Sequence, residues 1–215
     1  MKKLTIILAF ITVLGFSQSV KAQEPDATGF IRTYAQPGGM LSFDWIIGVP
    51  VGDMTDFISD VSTRGFNMEY RYFFNSPISV GGGFSWQGYS QKFDRSTYST
   101  DGVAITATRF NYLYTFPIYV NFHYYPVKSN FLYPFVGINA GAYYVDKQDQ
   151  IGRYYVQDEN WQFGFQPEVG VLIKPNPAGG FGFTVKAKYN YILYNEGGYN
   201  NLTQLNIYLG AAFIF

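Results

Sequence analysis

Residues 109–125, RFNYLYTFPIYVNFHYY, divide into two surfaces when every second residue is taken. Phe110, Tyr112, Tyr114, Phe116, Ile118, Val120, Phe122 and Tyr124 are all apolar or aromatic. Between them stand Arg109, Asn111, Thr115, Asn121 and His123, together with Leu113, Pro117, Tyr119 and Tyr125. A period of two belongs to a β-strand, because successive side chains point to opposite faces of the pleat. Strands of soluble domains commonly run about five or six residues, and this stretch is roughly three times as long. A strand crossing a bilayer needs about 9–11 tilted residues, and more where it projects beyond the lipid. The stretch is therefore expected to be a transmembrane strand, with its apolar face on lipid and its polar face inside a barrel.

Seven further segments of the 215-residue chain repeat the alternation, at about 40–51, 63–74, 78–90, from 131, 160–174, 181–194 and 202–215. The first sets Leu41, Phe43, Trp45, Ile47 and Val49 against Ser42, Asp44 and Gly48. The second sets Phe66, Met68, Tyr70 and Tyr72 against Asn67, Glu69 and Arg71. Eight strands put both ends of the sheet on one side. The connections alternate too: 52–62, 91–103, 146–159 and 195–201 are polar outer loops, whereas those after the second, fourth and sixth strands are short turns. The third loop is expected to continue at both ends as a strand pair above the membrane. Short periplasmic turns and longer outer loops are the habit of outer-membrane barrels. The expected fold is all-β, an eight-stranded antiparallel up-and-down transmembrane β-barrel over residues 38–215.

Aromatic residues make up 20% of the chain, and the barrel gives them a place. Trp86, Tyr112, Tyr114, Trp161, Tyr189 and Tyr191 fall toward the outer-loop ends of their strands, and Tyr72, Phe74, Phe122, Tyr124, Phe213 and Phe215 toward the periplasmic ends. Amphipathic rings prefer headgroup depth, so two belts are expected. Trp45 falls nearer mid-strand and fits less well. Pro117 and Pro167 each remove a ladder hydrogen bond from a non-edge strand, and a local bulge is expected at each.

Residues 4–16 form the longest apolar run, too short for a spanning helix of about 20 residues. The run follows Lys2 and Lys3 and precedes Val20-Lys21-Ala22, which marks residues 1–22 as a secretory signal peptide and 23–37 as a periplasmic lead-in. Cysteine is absent, which removes disulfides, thiol catalysis and Cys-zinc sites. Fifteen basic residues face fifteen acidic ones, and loss of Lys2, Lys3 and Lys21 leaves 12 against 15. A near-neutral chain without a basic patch does not suit nucleic acid.

The signal peptide, the eight strands and the closing Ala211-Ala212-Phe213-Ile214-Phe215 resemble the small outer-membrane β-barrel family of Gram-negative bacteria, porin-like and eight-stranded in the OmpA/OmpX/OmpW manner. Val49-Pro50-Val51-Gly52-Asp53 and Tyr133-Pro134-Phe135-Val136-Gly137 resemble that family locally. The resemblance implies residence in the cell outer membrane among its lipids and lipopolysaccharide. It also implies recognition of the last strand by the outer-membrane assembly machinery. The family is functionally mixed, so it speaks to place more than to task.

The inward faces collect Asp44, Glu69, Arg71, Arg109, His123, Glu168, Lys186 and Lys188. An eight-stranded barrel has an interior just wide enough for its own side chains, and charges removed from water need partners. These residues are expected to plug the lumen as an ionic network, in two hairpin clusters: Asp44–Glu69–Arg71 and Glu168–Lys186–Lys188. The alternative is a selectivity lining for a narrow, porin-like channel for small solutes. His123, the only histidine, has no hydroxyl assigned to it as a nucleophile. Asp53, Asp56 and Asp60 lack calcium-loop spacing. The expectation is a non-enzymatic protein without cofactor, catalytic residue or strong metal site, serving a structural or surface-interaction role.

Overall fold

The computed structural model describes residues 38–74, 77–100, 103–127, 131–176, 179–196 and 199–215. The signal peptide and lead-in expected at 1–22 and 23–37 lie outside the described residues. Eight antiparallel strands follow one another round a closed ring: β1 (Gly38–Val51), β2 (Gly65–Phe73), β3 (Ile78–Thr100), β4 (Val103–Tyr124), β5 (Leu132–Ile151), β6 (Tyr154–Ile173), β7 (Phe181–Glu196) and β8 (Tyr199–Ile214). The β1–β8 ladder runs from Met40↔Ile214 to Val51↔Thr203 and closes the sheet. Closure satisfies the backbone groups that an open edge would expose to lipid.

The period of two becomes a wall with two surfaces. Val120 is 69% exposed, and Asn121 beside it is 4% exposed. Phe43, Phe66, Ile118, Phe163 and Phe183 likewise point out, while Asn67, Gln87, Asn139 and Gln166 are buried inside. No described helix is long and apolar enough to cross a membrane, and the strands make the crossing.

The outer loops need correcting. Residues 91–103 and 195–201 are largely strand: β3 and β4 stay paired to Thr100↔Val103, and β7 and β8 to Glu196↔Tyr199. The strand expected to begin at residue 109 begins at Val103. The β5–β6 pairing runs without interruption to Ile151↔Tyr154 and turns at Gly152, whose φ of 60° suits glycine. Above the lipid both faces of a strand are wet, so the hydrophobic alternation that marks a strand in sequence disappears while the ladder continues. The loop after β1 does fold in on itself, with a 3-10 turn at Gly52–Asp56.

The prolines correct a second expectation. Pro117 pairs with Tyr143 on one side, and on the other the β3–β4 ladder skips from Phe84↔Ile118 to Gln87↔Thr115 in unchanged register. Pro167 does the same between Phe165↔Tyr191 and Glu168↔Lys188. Each proline leaves a short gap in one ladder, without a bulge. Register shifts occur elsewhere, between Phe93 and Ser96 and between Ile192 and Asn195. The latter lies beside Asn201, whose φ is 65°.

The strands differ in how high they are paired on each side. The β2–β3 ladder reaches Gln87, and the β6–β7 ladder begins at Gly164. Beyond those points β3 keeps β4, and β6 keeps β5. The outer parts of β3 to β6 therefore rise as a four-stranded sheet above the ring.

Candidate functional site in the barrel interior

The interior is layered along the strands. Toward the periplasmic end Met40, Phe73, Tyr125, Tyr133, Phe135, Leu172 and Ala212 form one buried apolar group. Toward the outer end Tyr89, Leu113, Tyr143, Val145, Ile192, Tyr194 and Leu202 form another, joined by Met54, Phe57 and Ile58 from the loop after β1. Asn111 Nδ2 donates to Phe57 O at 2.7 Å, and Gln91 Oε1 accepts from Ser59 N at 2.6 Å, which pins that loop into the barrel mouth. Along β4 and the residue after it the order Leu113, His123, Tyr125 places the charged residues between the two apolar groups.

Asp44, Glu69, Arg71, His123, Glu168, Lys186 and Lys188 converge in that middle layer, all buried. Arg71 bonds Glu69, two residues away on β2, and its Nη2 lies 2.9 Å from Glu168 Oε1 on β6. In a ring of eight, β2 and β6 are opposite, so this bond spans the lumen. Lys188 Nζ bridges Glu69 Oε2 at 2.9 Å and Glu168 Oε2 at 3.0 Å. Lys186 Nζ lies 2.8 Å from Asp44 Oδ2 and 3.5 Å from Glu69 Oε2. His123 Nε2 sits 2.7 Å from Glu168 Oε1. Neutral groups complete the shell: Tyr125 OH accepts from Arg71 at 2.9 Å, Asn139 donates to Glu168 at 2.7 Å, and Thr184 donates to Asp44 at 2.6 Å.

The two hairpin clusters expected from sequence are thus one network. Asp44 pairs with Lys186 on β7 rather than with Arg71 on the adjacent strand. Glycine makes the crossing feasible. Gly210 on β8 stands between Asp44 and Thr184, and a Cβ there would meet Asp44 Oδ1 at 2.3 Å. Gly137 faces His123 across the ladder, Gly81 faces Arg71, and Gly170 faces Lys186. Arg109 stands apart. Its Nε donates to Asp149 Oδ1 at 2.9 Å in the risen sheet, where it is partly exposed. Without it the network holds three carboxylates and three cations, with His123 beside them, and Lys174, just after β6, is buried as well.

Sequence reasoning missed several partners, namely Tyr119, Tyr125, Asn67 and Asn139. Each sits at an inward position beside a charged one, so the alternation carried the signal.

The donor set could in principle take a metal, since ligand atoms of Glu69, His123 and Glu168 lie within 4.8 Å of one another. The same carboxylates are already bonded to Arg71, Lys186 and Lys188. A divalent ion would add charge to a balanced group and compete with those bonds. Ser79 is the register partner of His123, and both Ser79 Oγ and His123 Nδ1 lack a hydrogen-bond partner. Both residues are fully buried, so a nucleophile there would have no open route to a substrate.

The outer wall carries the aromatic residues. Trp86 stacks on Tyr114 at 6.2 Å, and Tyr144 lies 5.5 Å from Trp161. Trp45 joins this row: it pairs with Phe66, which lies 6.3 Å from Trp86, and its indole donates to Thr63 O at 2.7 Å. At the other end Tyr72 meets Phe74 at 5.3 Å and Phe213 meets Phe181 at 5.5 Å. Phe122, Tyr124 and Phe215 are exposed there as well, as is Tyr189 on the outer half of β7.

A family model described as the outer membrane protein β-barrel domain matches residues 8–215. The chain belongs to that family. It resides in the cell outer membrane, where its exposed apolar wall meets lipid. Among solved structures it is similar to Ail, the attachment invasion locus protein of Yersinia pestis, at 14% identity and a TM-score of 0.52, over 84% of this chain and 99% of Ail. It is also similar to Neisserial surface protein A, at 13% identity and a TM-score of 0.53, over 83% of this chain and 97% of that one. These likenesses concern the fold. A search of curated proteins found no match.

Proposed function

We propose that this protein is a non-enzymatic outer-membrane barrel whose lumen is plugged by its own side chains and whose work is structural or done at its outer surface. The carrying observation is the sandwich of one charge-balanced network between two buried apolar groups, with Arg71–Glu168 and Lys188–Glu69 spanning the ring. A water-filled path would have to break both apolar groups and hydrate the ions between them. In this reading residues 1–22 direct export and are removed, the last strand is read by the assembly machinery, and the outer leaflet supplies lipopolysaccharide as a neighbour.

The narrow-channel reading draws on Gln87, Asn190 and Gln204, buried residues that hold side-chain atoms without partners and that water would wet. Planar-bilayer recording separates the two. The pure protein is expected to give no stable single-channel steps, and reproducible steps would overturn the plug.

A further inference from the structure

Residues level with one another on neighbouring strands form a row, and in a tilted barrel a row climbs as it goes round. One row starts at Met40 on β1 and passes through Arg71 and Gly81 to Asn121 on β4. It continues through Asn139 and Gln166 to Asn190 and Gln204, and returns to β1 at Pro50, ten residues above its start. Gln166 and Asn190 stand in the gap beside Pro167, where the pairs on either side keep them level. At about 3.3 Å per residue the climb is about 33 Å along β1, and it begins in the periplasmic apolar group.

Five consecutive strands, β4 to β8, each put a carboxamide into this row, and none of the five is more than 4% exposed. The amide nitrogens settle which way four of them face. Asn121 Nδ2 donates to Tyr70 O, Asn139 Nδ2 to Glu168 Oε2, Gln166 Nε2 to Tyr143 OH and Asn190 Nδ2 to Gln204 Oε1. That leaves Asn121 Oδ1, Asn139 Oδ1, Gln166 Oε1 and Asn190 Oδ1 without a hydrogen-bond partner among the described residues. Gln204 is turned the other way: its Oε1 accepts from Tyr89 OH at 3.1 Å, and its Nε2 has no such partner. Gln87, which shares the space over Gly48 with Tyr89, has neither side-chain atom paired. Buried polar groups are normally bonded, to protein or to ordered water.

The free atoms define the chemistry of a guest. Five oxygens accept and two nitrogens donate, so the guest gives more hydrogen bonds than it takes. A cation would suit the oxygens but not the nitrogens, and Arg71, Lys186 and Lys188 already balance the carboxylates alongside. Adjacent strands stand about 4.8 Å apart, and one water donating two bonds of about 2.8 Å nearly spans that distance.

We infer that the row is a water-binding site, in which a file of waters bridges successive amide oxygens from Asn121 up to Gln204 and Gln87. A buried water typically makes about three hydrogen bonds, and each here gives two to the row. The file flanks the ionic network through Asn139, which is bonded to Glu168, and ends against Tyr89 of the outer apolar group. The inference goes beyond the plugged lumen, since a file closed at both ends conducts nothing.

The test uses the full-length protein in lipid nanodiscs. Water-selective NMR cross-relaxation should show direct contact between bound water and the side-chain amides of Asn139 and Asn190. Asn190→Leu, which keeps the volume and removes the amide, should erase the contact at its site and lower the urea midpoint. Deleting a buried acceptor that has no partner at all relieves its desolvation and raises the midpoint instead. Asn190→Ser, smaller and still polar, should fold and keep the water contact even where leucine is not tolerated. Absence of water contact at both amides, or a raised midpoint in Asn190→Leu, would overturn the inference. So would a wild-type midpoint that climbs with sodium or potassium at constant ionic strength, which marks an ion in the row. Single-channel steps would overturn the plug and leave the waters in place, so the two failures are distinguishable.

Discussion

Arg71 ties the interior together across the lumen, because its guanidinium joins Glu69 of β2, Glu168 of β6 and Tyr125 just after β4. Removing one partner of a buried ion pair typically costs about 3–5 kcal/mol, since the other charge stays buried without compensation. Arg71→Ala and Glu168→Ala should therefore lower the urea midpoint in lipid vesicles far more than Asp94→Ala. That last change lies at an exposed position, where about 0.5 kcal/mol or less is usual. Equal midpoints for all three would mean that the interior is hydrated and screened. The glycines opposite the network make a second residue-scale prediction. A Cβ on Gly81 would meet the backbone oxygen of Tyr70 at 1.9 Å, and backbone cannot step aside. Gly81→Ala should cost on the order of 1–3 kcal/mol as overpacking, whereas Gly179→Ala, whose nearest atom lies at 3.2 Å, should be mild by the same titration.

The loop after β1 behaves as an element of the core. Phe57 is 2% exposed, and Lys147 Nζ lies 4.6 Å from its ring. Phe57→Ala should cost about 3–5 kcal/mol without opening conductance, because the network and the periplasmic apolar group remain below it. Burial near that loop, aided by Arg109, also holds the Lys147 ammonium below its ordinary pKa, against the pull of Asp158 and Asp149. A lysine depressed in the folded state destabilises while charged, and the cost fades as pH rises through its folded pKa toward the usual value of about 10.4. Lys147→Met should thus raise the thermal midpoint near neutral pH, and its advantage should shrink as the pH approaches about 10. An advantage that grows with pH would contradict this account.

At the scale of the molecule, closure depends on the seam between the first and last strands, β1 and β8. Phe215 exchanges backbone bonds with Gly39 at 2.7 and 2.9 Å while its ring stays 73% exposed. Under the proposed reading of the last strand by the assembly machinery, this exposed ring serves recognition while the backbone seals the barrel. Phe215→Ala should leave refolding into pure lipid vesicles nearly unchanged and should reduce the amount of folded protein reaching the outer membrane of cells. Equal loss in both settings would make the ring structural and overturn the signal role proposed for it. Immunoblotting of heat-modifiable barrel in membranes, beside in vitro refolding yield, reads both.

The sequence by itself determined the barrel, its strand count and which residues face inward, because a wall between lipid and a packed interior imposes a period of two on every spanning strand. It also named seven of the residues that meet in the lumen: Asp44, Glu69, Arg71, His123, Glu168, Lys186 and Lys188. It could not say who pairs with whom. Alternation fixes a face but not a height, and ring closure alone sets β2 across from β6 and lets Asp44 reach past Gly210 to Lys186. Arg109 was placed with the wrong group for the same reason. Above the membrane the sequence predicts the β5–β6 strand pair, which the ladder to Ile151↔Tyr154 bears out, but not the continued strands at 91–103 and 195–201, because wet faces leave no hydrophobic pattern. The inward fold of Met54, Phe57 and Ile58 was hidden as well, since a loop's burial depends on the mouth that the finished ring provides.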